Sequence, residues 1–353
     1  MERAKEDKVE ELKRQGKTVY SISRLNSLNQ CPYAAYITYK LDDRGDENVW
    51  AALGSIMHDT LQDIIDNGTS TDKLHEKLED GIDNMEISGI DFPKGKNGDN
   101  SIRENWITNM MGFCQHFKVP NGKFQTEQLV IYKQSEDDYI QGFVDLLRID
   151  DEKTKTVSVF DWKTSSQFRG DHLIEAGRQL VLYAQALEQA GYKINQLAWV
   201  MLKYCKVTWT QKNGKVKEKI CEWRNYVSQI RPYLLSPPKA VDMEEFELEL
   251  AVDKAVLNNS LDDLPEELKN QFKVEQYVRY YDYTPEVIEE TLNYVSDQIK
   301  SFKDRGNDVK NYPPLDISKN SFFCSSLCGH KKKCQFYKDY CNTFVKNSNE
   351  DLF

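Results

Sequence analysis

This sequence lacks the long apolar runs of membrane proteins, and it contains few cysteines. No stretch of its 353 residues approaches the roughly 18 consecutive apolar side chains that a membrane-spanning helix needs. Residues 1–17 are charged and carry no apolar signal core. The 8 cysteines are too few for a disulfide scaffold in a chain of this length. We therefore expect a soluble, intracellular protein with no membrane partner.

Glycine and proline are also modest in number. With 17 Gly, 10 Pro and 39% hydrophobic residues, the chain is unlike collagenous, disordered or low-complexity proteins. Its length fits either two modest domains or one enlarged α/β domain with an insertion.

The net charge of −10 argues against a nucleic-acid partner, because phosphate backbones are bound mainly by Lys and Arg. The charge is uneven, however, since segment 242–270 has a balance of −8 and segment 300–333 a balance of +5. A nucleic-acid partner therefore stays open. The acidic segment is either a solvated helix or a surface that binds a partner or masks a groove.

The hydrophobic periodicity changes from helical to alternating and back along the chain. Residues 2–16 form a surface helix or a frayed arm. The other predicted helices are 22–37, interrupted at Cys31-Pro32, then 49–66, 72–86, 101–117, 172–190 and most of 225–304. The predicted strands are an antiparallel meander of 125–133, 139–149 and 156–163, then 197–202, with a hairpin around Asn213-Gly214. This order predicts an α/β (α+β) fold.

Two of the predicted strands each carry an aspartate. Asp145 closes the run from Gly142, and Asp161 lies two residues before Lys163, which places those two side chains on one face of a strand. Carboxylates are hard ligands for Mg²⁺ or Mn²⁺, and a nearby ammonium can help orient and deprotonate an attacking water. Such a site suits phosphodiester hydrolysis. Alternating charges on a solvated strand face are the other interpretation.

Predicted helices supply further candidates. His58 follows Gly54 by one helical turn and offers an imidazole, while Gln179 and Tyr183 stand four residues apart on one helical face. Taken singly, each is also what an ordinary packed or surface helix carries.

Together these motifs resemble the RecB-like branch of the PD-(D/E)XK nucleases, which includes the AddB nuclease domain and the CRISPR-associated RecB-like exonucleases. That family shows a helical Gly-x-x-x-His, a Glu on the first strand, a Gly-x-x-Asp, an Asp-x-Lys and a Gln-x-x-x-Tyr helix. Here these are Gly54 to His58, Glu127, Gly142 to Asp145, Asp161 to Lys163, and Gln179 to Tyr183. The resemblance spans residues 20–341, although 206–310 carries no motif.

The resemblance implies a restriction-endonuclease-like core, a mixed sheet flanked by helices, and a role for each motif residue. The implied ligands of Mg²⁺ or Mn²⁺ are His58, Asp145, Asp161 and the backbone carbonyl of Trp162. The implied catalytic residues are Lys163, Asp161, Asp145 and Glu127. Gln179 and Tyr183 would support DNA or the active site.

The cysteines are a second signal. Three lie near the C-terminus, namely Cys324, Cys328 and Cys334, and Cys31 precedes a proline near the N-terminus. The iron–sulfur members of the family resemble this layout, which implies a [4Fe–4S] cluster joining the N- and C-terminal helical parts. Their first late spacing is usually Cys-x2-Cys, whereas here three residues intervene. Alternatively, Cys341 completes a C-terminal set of four that binds Zn²⁺ without Cys31.

By this resemblance the chain is a metal-dependent deoxyribonuclease, an exonuclease of DNA recombination, repair or end processing. An endonuclease with the same site, or a non-catalytic DNA-binding scaffold subunit of a helicase–nuclease complex, is the alternative. Residues 16–18 look like the end of a P-loop, but its first glycine would fall at Glu11. Any helicase or recombination partner would therefore be a separate chain. We expect DNA single strands or duplex ends as partners, in the cytoplasm of a bacterial or phage-infected cell.

These motifs divide the chain into five predicted segments. They are a charged arm (1–20), a helical region carrying Cys31 and His58 (21–120), the nuclease core (121–223), a helical region with the acidic segment (224–310) and the C-terminal cysteine region (311–353).

Overall fold

The computed structural model describes residues 2–95 and 97–350. Met1, Lys96 and residues 351–353, which belong to the predicted segments 1–20, 21–120 and 311–353, lie outside the described residues. The helices are α1 (Glu2–Arg14), α2 (Ile22–Gln30), α3 (Pro32–Lys40), α4 (Val49–Asn67), α5 (Asp72–Ile87), α6 (Ser101–His116), α7 (Asp171–Gln189), α8 (Tyr226–Leu234), α9 (Glu245–Asn258), α10 (Glu266–Lys269), α11 (Pro285–Arg305) and α12 (Gln335–Glu350). The strands are β1 (Thr18–Ser21), β2 (Lys123–Lys133), β3 (Asp138–Asp151), β4 (Thr156–Lys163), β5 (Lys193–Thr210), β6 (Val216–Glu222) and β7 (Phe272–Tyr281).

A mixed sheet of seven strands forms the centre of the fold. β2, β3 and β4 are antiparallel neighbours. The chain then passes through α7, so that β5 runs parallel to β4, and β6 returns as a hairpin after Gly214, whose φ is +78°. β1 joins β3 in parallel and β7 lies antiparallel to β5.

One side of β3 has a gap in its pairing. β1 pairs with β3 through Gln141, and β4 pairs with β3 from Leu146 onward. Within the described part of the chain, residues 142–145 of β3 therefore have a neighbouring strand, β2, on one side only. β4 itself continues along β5 as far as Lys163. The sheet thus forks between β3 and β4, and the backbone groups at the fork need other partners.

Helices cover both faces of the sheet and enclose two hydrophobic cores. One core, around Leu61 and Phe113, involves α4, α5 and α6, and the other, around Leu25 and Leu180, involves α2, α7 and α11. Alternate residues of β5 enter the two cores, because successive strand side chains point to opposite faces. Among the described helices, none is both long and apolar enough to cross a membrane.

Local caps fix where the helices that carry candidate site residues begin. Asn48 accepts hydrogen bonds from the first N–H groups of α4 and so caps it. Cys31 ends α2 and precedes α3 in an extended conformation, because Pro32 is tolerated at the first position of a helix but not inside one. The Cys-Pro pair therefore holds Cys31 at a corner between two helices.

The structure confirms the predicted mixed sheet flanked by helices, including the antiparallel meander and the hairpin at Asn213-Gly214. The helical prediction for 225–304 is wrong at 272–281, which forms β7. This segment alternates Val274, Gln276 and Val278 with other residues and pairs with β5, so strand pairing outweighs its helical surroundings. β1 was not predicted, since four residues are too few to show a period.

Candidate active site

The side chain of Asp145 fills the fork between β3 and β4. Its Oδ2 accepts a hydrogen bond of 2.8 Å from the backbone N–H of Trp162, which lies beyond the end of the β3–β4 ladder. Asp145 is only 7% exposed. Burial, followed by repulsion from the Asp161 carboxylate, raises the pKa of Asp145 to about 8. A carboxyl group in this position strongly favours a bound proton or cation.

The imidazole of His58 reaches the same fork from α4. Its Nε2 lies 3.0 Å from the carbonyl oxygen of Trp162 and must donate that hydrogen bond, because a carbonyl can only accept. Burial lowers the pKa of His58 and so favours the neutral ring, in which Nδ1 keeps its lone pair. Nδ1 lies 3.6 Å from Oδ2 of Asp145. An imidazole fixed in this way by a backbone carbonyl is typical of a metal ligand.

Glu127 lies opposite the fork on β2 with an unusual backbone. The β2–β3 register is the same on its two sides, where Thr126 pairs with Leu146 and Gln128 with Val144. At Glu127 itself φ is +45°, in the left-handed region that costs about 1–2 kcal/mol for a residue with a side chain. Strain of this kind persists only where the surrounding structure enforces it, and it is common at functional sites.

His58, Glu127 and Asp145 together form a candidate metal site. Their ligand atoms all lie within 4.8 Å of one another. One imidazole nitrogen and two carboxylates are donors that suit Mn²⁺ or Mg²⁺. The structure thus brings together two of the predicted ligands, and Glu127, predicted to be catalytic, joins them. The Trp162 carbonyl, predicted as a further ligand, accepts the hydrogen bond of His58.

Asp161, the remaining predicted ligand, forms an ion pair with Lys163. The Lys163 Nζ lies 2.6 Å from Oδ2 of Asp161, and Asp161 is only 1% exposed. Burial lowers the pKa of Lys163, but attraction to Asp161 and Asp145 outweighs burial, so the net pKa is raised. Lys163 is therefore an ammonium at neutral pH, next to the candidate metal site.

α7 supports Lys163 through two hydrogen bonds in series. The Lys163 Nζ donates to Oε1 of Gln179 at 3.2 Å, and Nε2 of Gln179 donates to the Tyr183 hydroxyl at 2.7 Å. Tyr183 packs so closely on β3 that a Cβ at Gly142 would lie 2.2 Å from its ring. The glycine of the Gly-x-x-Asp pattern therefore makes room for the tyrosine of the Gln-x-x-x-Tyr pattern.

An open cleft of about 670 Å³ leads to the candidate metal site. One wall is α4, with Trp50, Gly54 and His58, and the other is formed by β2 and β3, with Glu127 and Phe143. Phe143 was not among the predicted site residues. Its place within the Gly142-to-Asp145 motif is the signal that would have found it.

A second pocket lies where the N- and C-terminal parts of the chain meet. Its lining includes Cys31, Cys324, Cys328 and Cys334. Burial, followed by the three neighbouring thiols, raises the pKa of Cys324 to about 11. Cys341 does not line this pocket; it is hydrogen-bonded to Tyr337, which does.

Close backbone packing joins the cysteine loop to the loop before α4. The N–H of Asp46 donates to the carbonyl of Gly329 at 2.9 Å. A Cβ at Gly45 would lie 2.7 Å from that carbonyl oxygen, so the approach requires glycine. The buried His330, which also lines the pocket, pairs with the hydroxyl of Thr38 at 2.8 Å. His330 was not among the predicted site residues. Its position two residues after Cys328 is the signal that would have indicated it.

Most of the sequence matches one known family. The family described as the PD-(D/E)XK nuclease superfamily matches residues 19–335. No curated protein matches the chain. The matched range contains both strands of the fork, the helices α4 and α7, and the cysteines from Cys31 to Cys334. The chain therefore belongs to the PD-(D/E)XK nuclease superfamily, whose membership implies a phosphodiester hydrolase.

Proposed function

We propose that the protein is a Mg²⁺- or Mn²⁺-dependent deoxyribonuclease that acts as an exonuclease in DNA recombination, repair or end processing. The observation that carries this proposal is the meeting of His58, Glu127 and Asp145 at the fork of the sheet, beside the Asp161–Lys163 ion pair. Carboxylates, one imidazole and one ammonium at the end of an open cleft are what phosphodiester hydrolysis needs.

The residues at the fork fit a divalent cation. His58, Glu127 and Asp145 would hold it, with the carboxylate of Asp161 adjacent. A bound Mg²⁺ or Mn²⁺ lowers the pKa of water and neutralises charge that develops on the phosphate. The raised pKa of Asp145 supports this assignment, because crowded buried carboxylates ionise readily only when a cation compensates them.

Lys163 is well placed to act on the anionic substrate. Its ammonium is held by Asp161 and Gln179, and it can donate to a phosphate oxygen or orient the attacking water. Gln179 and Tyr183 act as positioning residues, because they fix the Lys163 side chain rather than reach the reacting atoms. Losing the Lys163 ammonium would remove a charge–charge contact at the phosphate.

The test is degradation of end-labelled linear single- and double-stranded DNA, beside a closed circle, with Mg²⁺ or Mn²⁺. We expect the wild type to degrade linear DNA and spare the circle. Lys163→Ala should reduce the rate by at least about 100-fold, while Lys338→Ala on the exposed side of α12 serves as a matched control. Cutting of the circle would mean an endonuclease with the same site. Absence of all cleavage, with DNA still bound, would favour a scaffold subunit.

We propose further that Cys31, Cys324, Cys328 and Cys334 hold a structural [4Fe–4S] cluster. The support is that these four thiols line one pocket, whereas Cys341, which a local zinc site would require, does not line it and is hydrogen-bonded to Tyr337. Four cysteine thiolates are the usual ligands of such a cluster. The cluster would join the α2–α3 corner to the C-terminal segment without taking part in hydrolysis.

Iron and sulfide analysis of protein purified without oxygen tests the cluster. We expect about four of each per chain, and loss of both in Cys31→Ser. Cys341→Ser is the matched control and should keep iron and sulfide. Zinc in place of iron, lost in Cys341→Ser but not in Cys31→Ser, would establish the local zinc site instead.

DNA ends are the proposed partner of the cleft. The helix α1, and not a strand, precedes residues 16–18, so the fragment that looks like a P-loop lacks the strand that this motif follows. We propose a separate helicase or recombination protein as the partner that unwinds duplex DNA.

A further inference from the structure

We propose that Phe143 stacks on an unpaired nucleobase beside the scissile phosphate, and that Gly54 leaves the space into which that base fits. The substrate would then be single-stranded where it meets the candidate metal site. This inference rests on the proposed nuclease function and specifies the substrate of that same site.

Phe143 is exposed where its neighbours are not. Its side chain is 42% exposed, whereas every other residue from Asp138 to Ile149 of β3 is buried or half-buried. A large aromatic side chain in the middle of a central strand normally joins a core, because burial of its apolar surface stabilises the fold. Exposure at this position therefore indicates a use outside the core.

Phe143 lies at the gap in the pairing of β3, next to the candidate metal site. Phe143 belongs to the residues 142–145 that face the gap, and it lies two positions before Asp145, so that both side chains point to the same side of the strand. It lines the cleft together with His58 and Glu127. A flat apolar ring beside a metal site is a suitable surface for a nucleobase, since every base has a face that stacks.

Gly54 provides a second, independent observation. It lies inside α4, where glycine destabilises a helix relative to alanine. A Cβ added to Gly54 would meet only the Thr164 hydroxyl, at 4.0 Å, so packing within the protein does not require glycine. Gly54 stands one turn before His58 and one turn after Trp50, and all three line the cleft. The missing side chain therefore leaves space in the cleft and not in a core.

The charge of the cleft also favours stacking over phosphate contacts. Asp59, Asp66 and Glu127 line it, and within the described part of the chain no Lys or Arg does. With no basic side chain in its walls, the cleft attracts phosphates only where it meets the proposed metal ion and the neighbouring Lys163 ammonium. Aromatic stacking is then the main contact available to the nucleotide itself.

Kinetics on single-stranded oligonucleotides test the proposal. We expect Phe143→Ala to lower kcat/KM about 10-fold or more, as loss of one stacked base would, and Phe143→Tyr to keep most of the activity. Phe246→Ala, which removes an exposed ring on α9, is the matched control and should change nothing. A duplex with blunt ends should be cleaved more slowly than the same strand unpaired.

An abasic residue at the cleavage position gives the decisive comparison. Wild type should cleave the abasic substrate more slowly than the intact strand. Phe143→Ala should cleave both substrates at the same reduced rate, because removing the base and removing the ring abolish the same contact. Equal further losses in the two proteins would overturn the inference while leaving the nuclease function intact. A wild type that cleaves no nucleic acid would overturn the proposed function, and this inference with it.

Gly54→Ala tests the proposed space separately from the ring. The new methyl group fits the protein, so the variant should fold and unfold at the same or a higher temperature than wild type, yet its kcat/KM on single strands should fall severalfold. Unchanged kcat/KM in this variant would show that the base does not occupy this space.

Discussion

At the scale of single residues, the buried carboxyl group of Asp145 constrains the chemistry of the candidate site most strongly. The carboxyl group is held by the Trp162 N–H and faces His58, while Asp161 lies near enough to raise its pKa. Each carboxylate makes the next one harder to ionise. A buried carboxyl group that favours a bound proton or cation, at a place where residues from three different elements meet, is consistent with the proposed metal site.

Asp145→Asn should therefore change the free energy of unfolding in opposite directions with and without a bound metal ion. Asparagine keeps an oxygen that can accept from the Trp162 N–H but removes the buried acid. In EDTA we expect the variant to be more stable than wild type by at least about 1 kcal/mol, because each unit of pKa shift corresponds to roughly 1.4 kcal/mol. With Mg²⁺ or Mn²⁺ the order should reverse, since only wild type gains stability from binding.

Thermal unfolding in EDTA and in a series of Mn²⁺ concentrations measures this difference. Asp171→Asn, at the exposed start of α7, is a suitable control and should respond to Mn²⁺ as wild type does. If Mn²⁺ raised the melting temperature of Asp145→Asn as much as that of wild type, Asp145 would not be a ligand.

Gly142 is the residue at which two sequence motifs meet in space. An alanine there would place Cβ 2.2 Å from the Tyr183 ring, which must move or strain the strand. We expect Gly142→Ala to lower the free energy of unfolding by about 1–3 kcal/mol and to reduce cleavage, because the displaced Tyr183 no longer supports Gln179 and Lys163.

Chemical denaturation of single and double variants measures the effect of Gly142→Ala. In Gly142→Ala/Tyr183→Ala the ring that causes the clash is gone, so the two losses of stability should sum to more than the loss in the double variant. Strictly additive losses would mean that the two residues do not interact.

At the scale of elements, the sequence predicted those helices and strands whose conformation depends on nearby residues. Alternation revealed the meander of β2, β3 and β4, and Asn213-Gly214 revealed the hairpin. The gap at residues 142–145 could not be read in the same way, because it depends on where β1 ends its pairing with β3, 120 residues away in sequence. β7 was missed for the same reason, since its strand conformation depends on the distant β5.

The candidate site shows the same limit. The motif order identified His58, Glu127, Asp145, Asp161 and Lys163 as candidates, and it placed Asp161 beside Lys163, but it did not show which of them group around a metal. Glu127 joins His58 and Asp145 only through tertiary packing, because the three residues lie on three different elements. The left-handed backbone of Glu127 leaves no trace in the sequence, because nothing marks a glutamate for that conformation.

Glycines inside helices give an element-level prediction in which helix propensity and packing oppose each other. Gly112 on α6 lies so close to Trp223 that a Cβ would be 2.7 Å from the Cβ of that buried residue. Because a Cβ cannot move without the backbone, Gly112→Ala should lower the free energy of unfolding by about 1–3 kcal/mol. Gly54→Ala should instead raise it by roughly 0.5–1 kcal/mol.

Urea denaturation of the two variants, under the same conditions, distinguishes packing from propensity. Both substitutions add the same methyl group to a helix interior. The difference between their free energies of unfolding therefore reports the contact of Gly112 with the neighbouring Trp223. A gain in stability for both variants would contradict the close packing of α6 on Trp223.

At the scale of the whole molecule, the cysteine pocket joins two ends of the chain. Lys332 pairs with Asp46 at 2.8 Å and Lys333 with Asp43 at 2.5 Å, so this basic run is tied to the N-terminal loop by ion pairs. Exposed ion pairs of this kind contribute little stability. The closure therefore depends on the packing of Gly45 against the cysteine loop, and the proposed cluster would reinforce it.

Loss of a proposed cluster ligand should consequently open the C-terminal segment before the sheet unfolds. In Cys31→Ser we expect faster proteolysis within residues 313–335 and a lower melting temperature, because metal binding and folding are coupled. The sheet and its two cores involve other residues, so the central fragment should stay resistant. Cys341→Ser should behave like wild type.

Limited proteolysis followed by mass spectrometry, with and without an iron chelator, measures this order of events. Chelation of wild type should reproduce the fragments of Cys31→Ser and add nothing to that variant. The N-terminal side should loosen together with the C-terminal side, since Cys31 lies at the corner between α2 and α3. If proteolysis began in the sheet, or if only Cys341→Ser were cleaved faster than wild type, the cysteine pocket would not join the two ends of the chain.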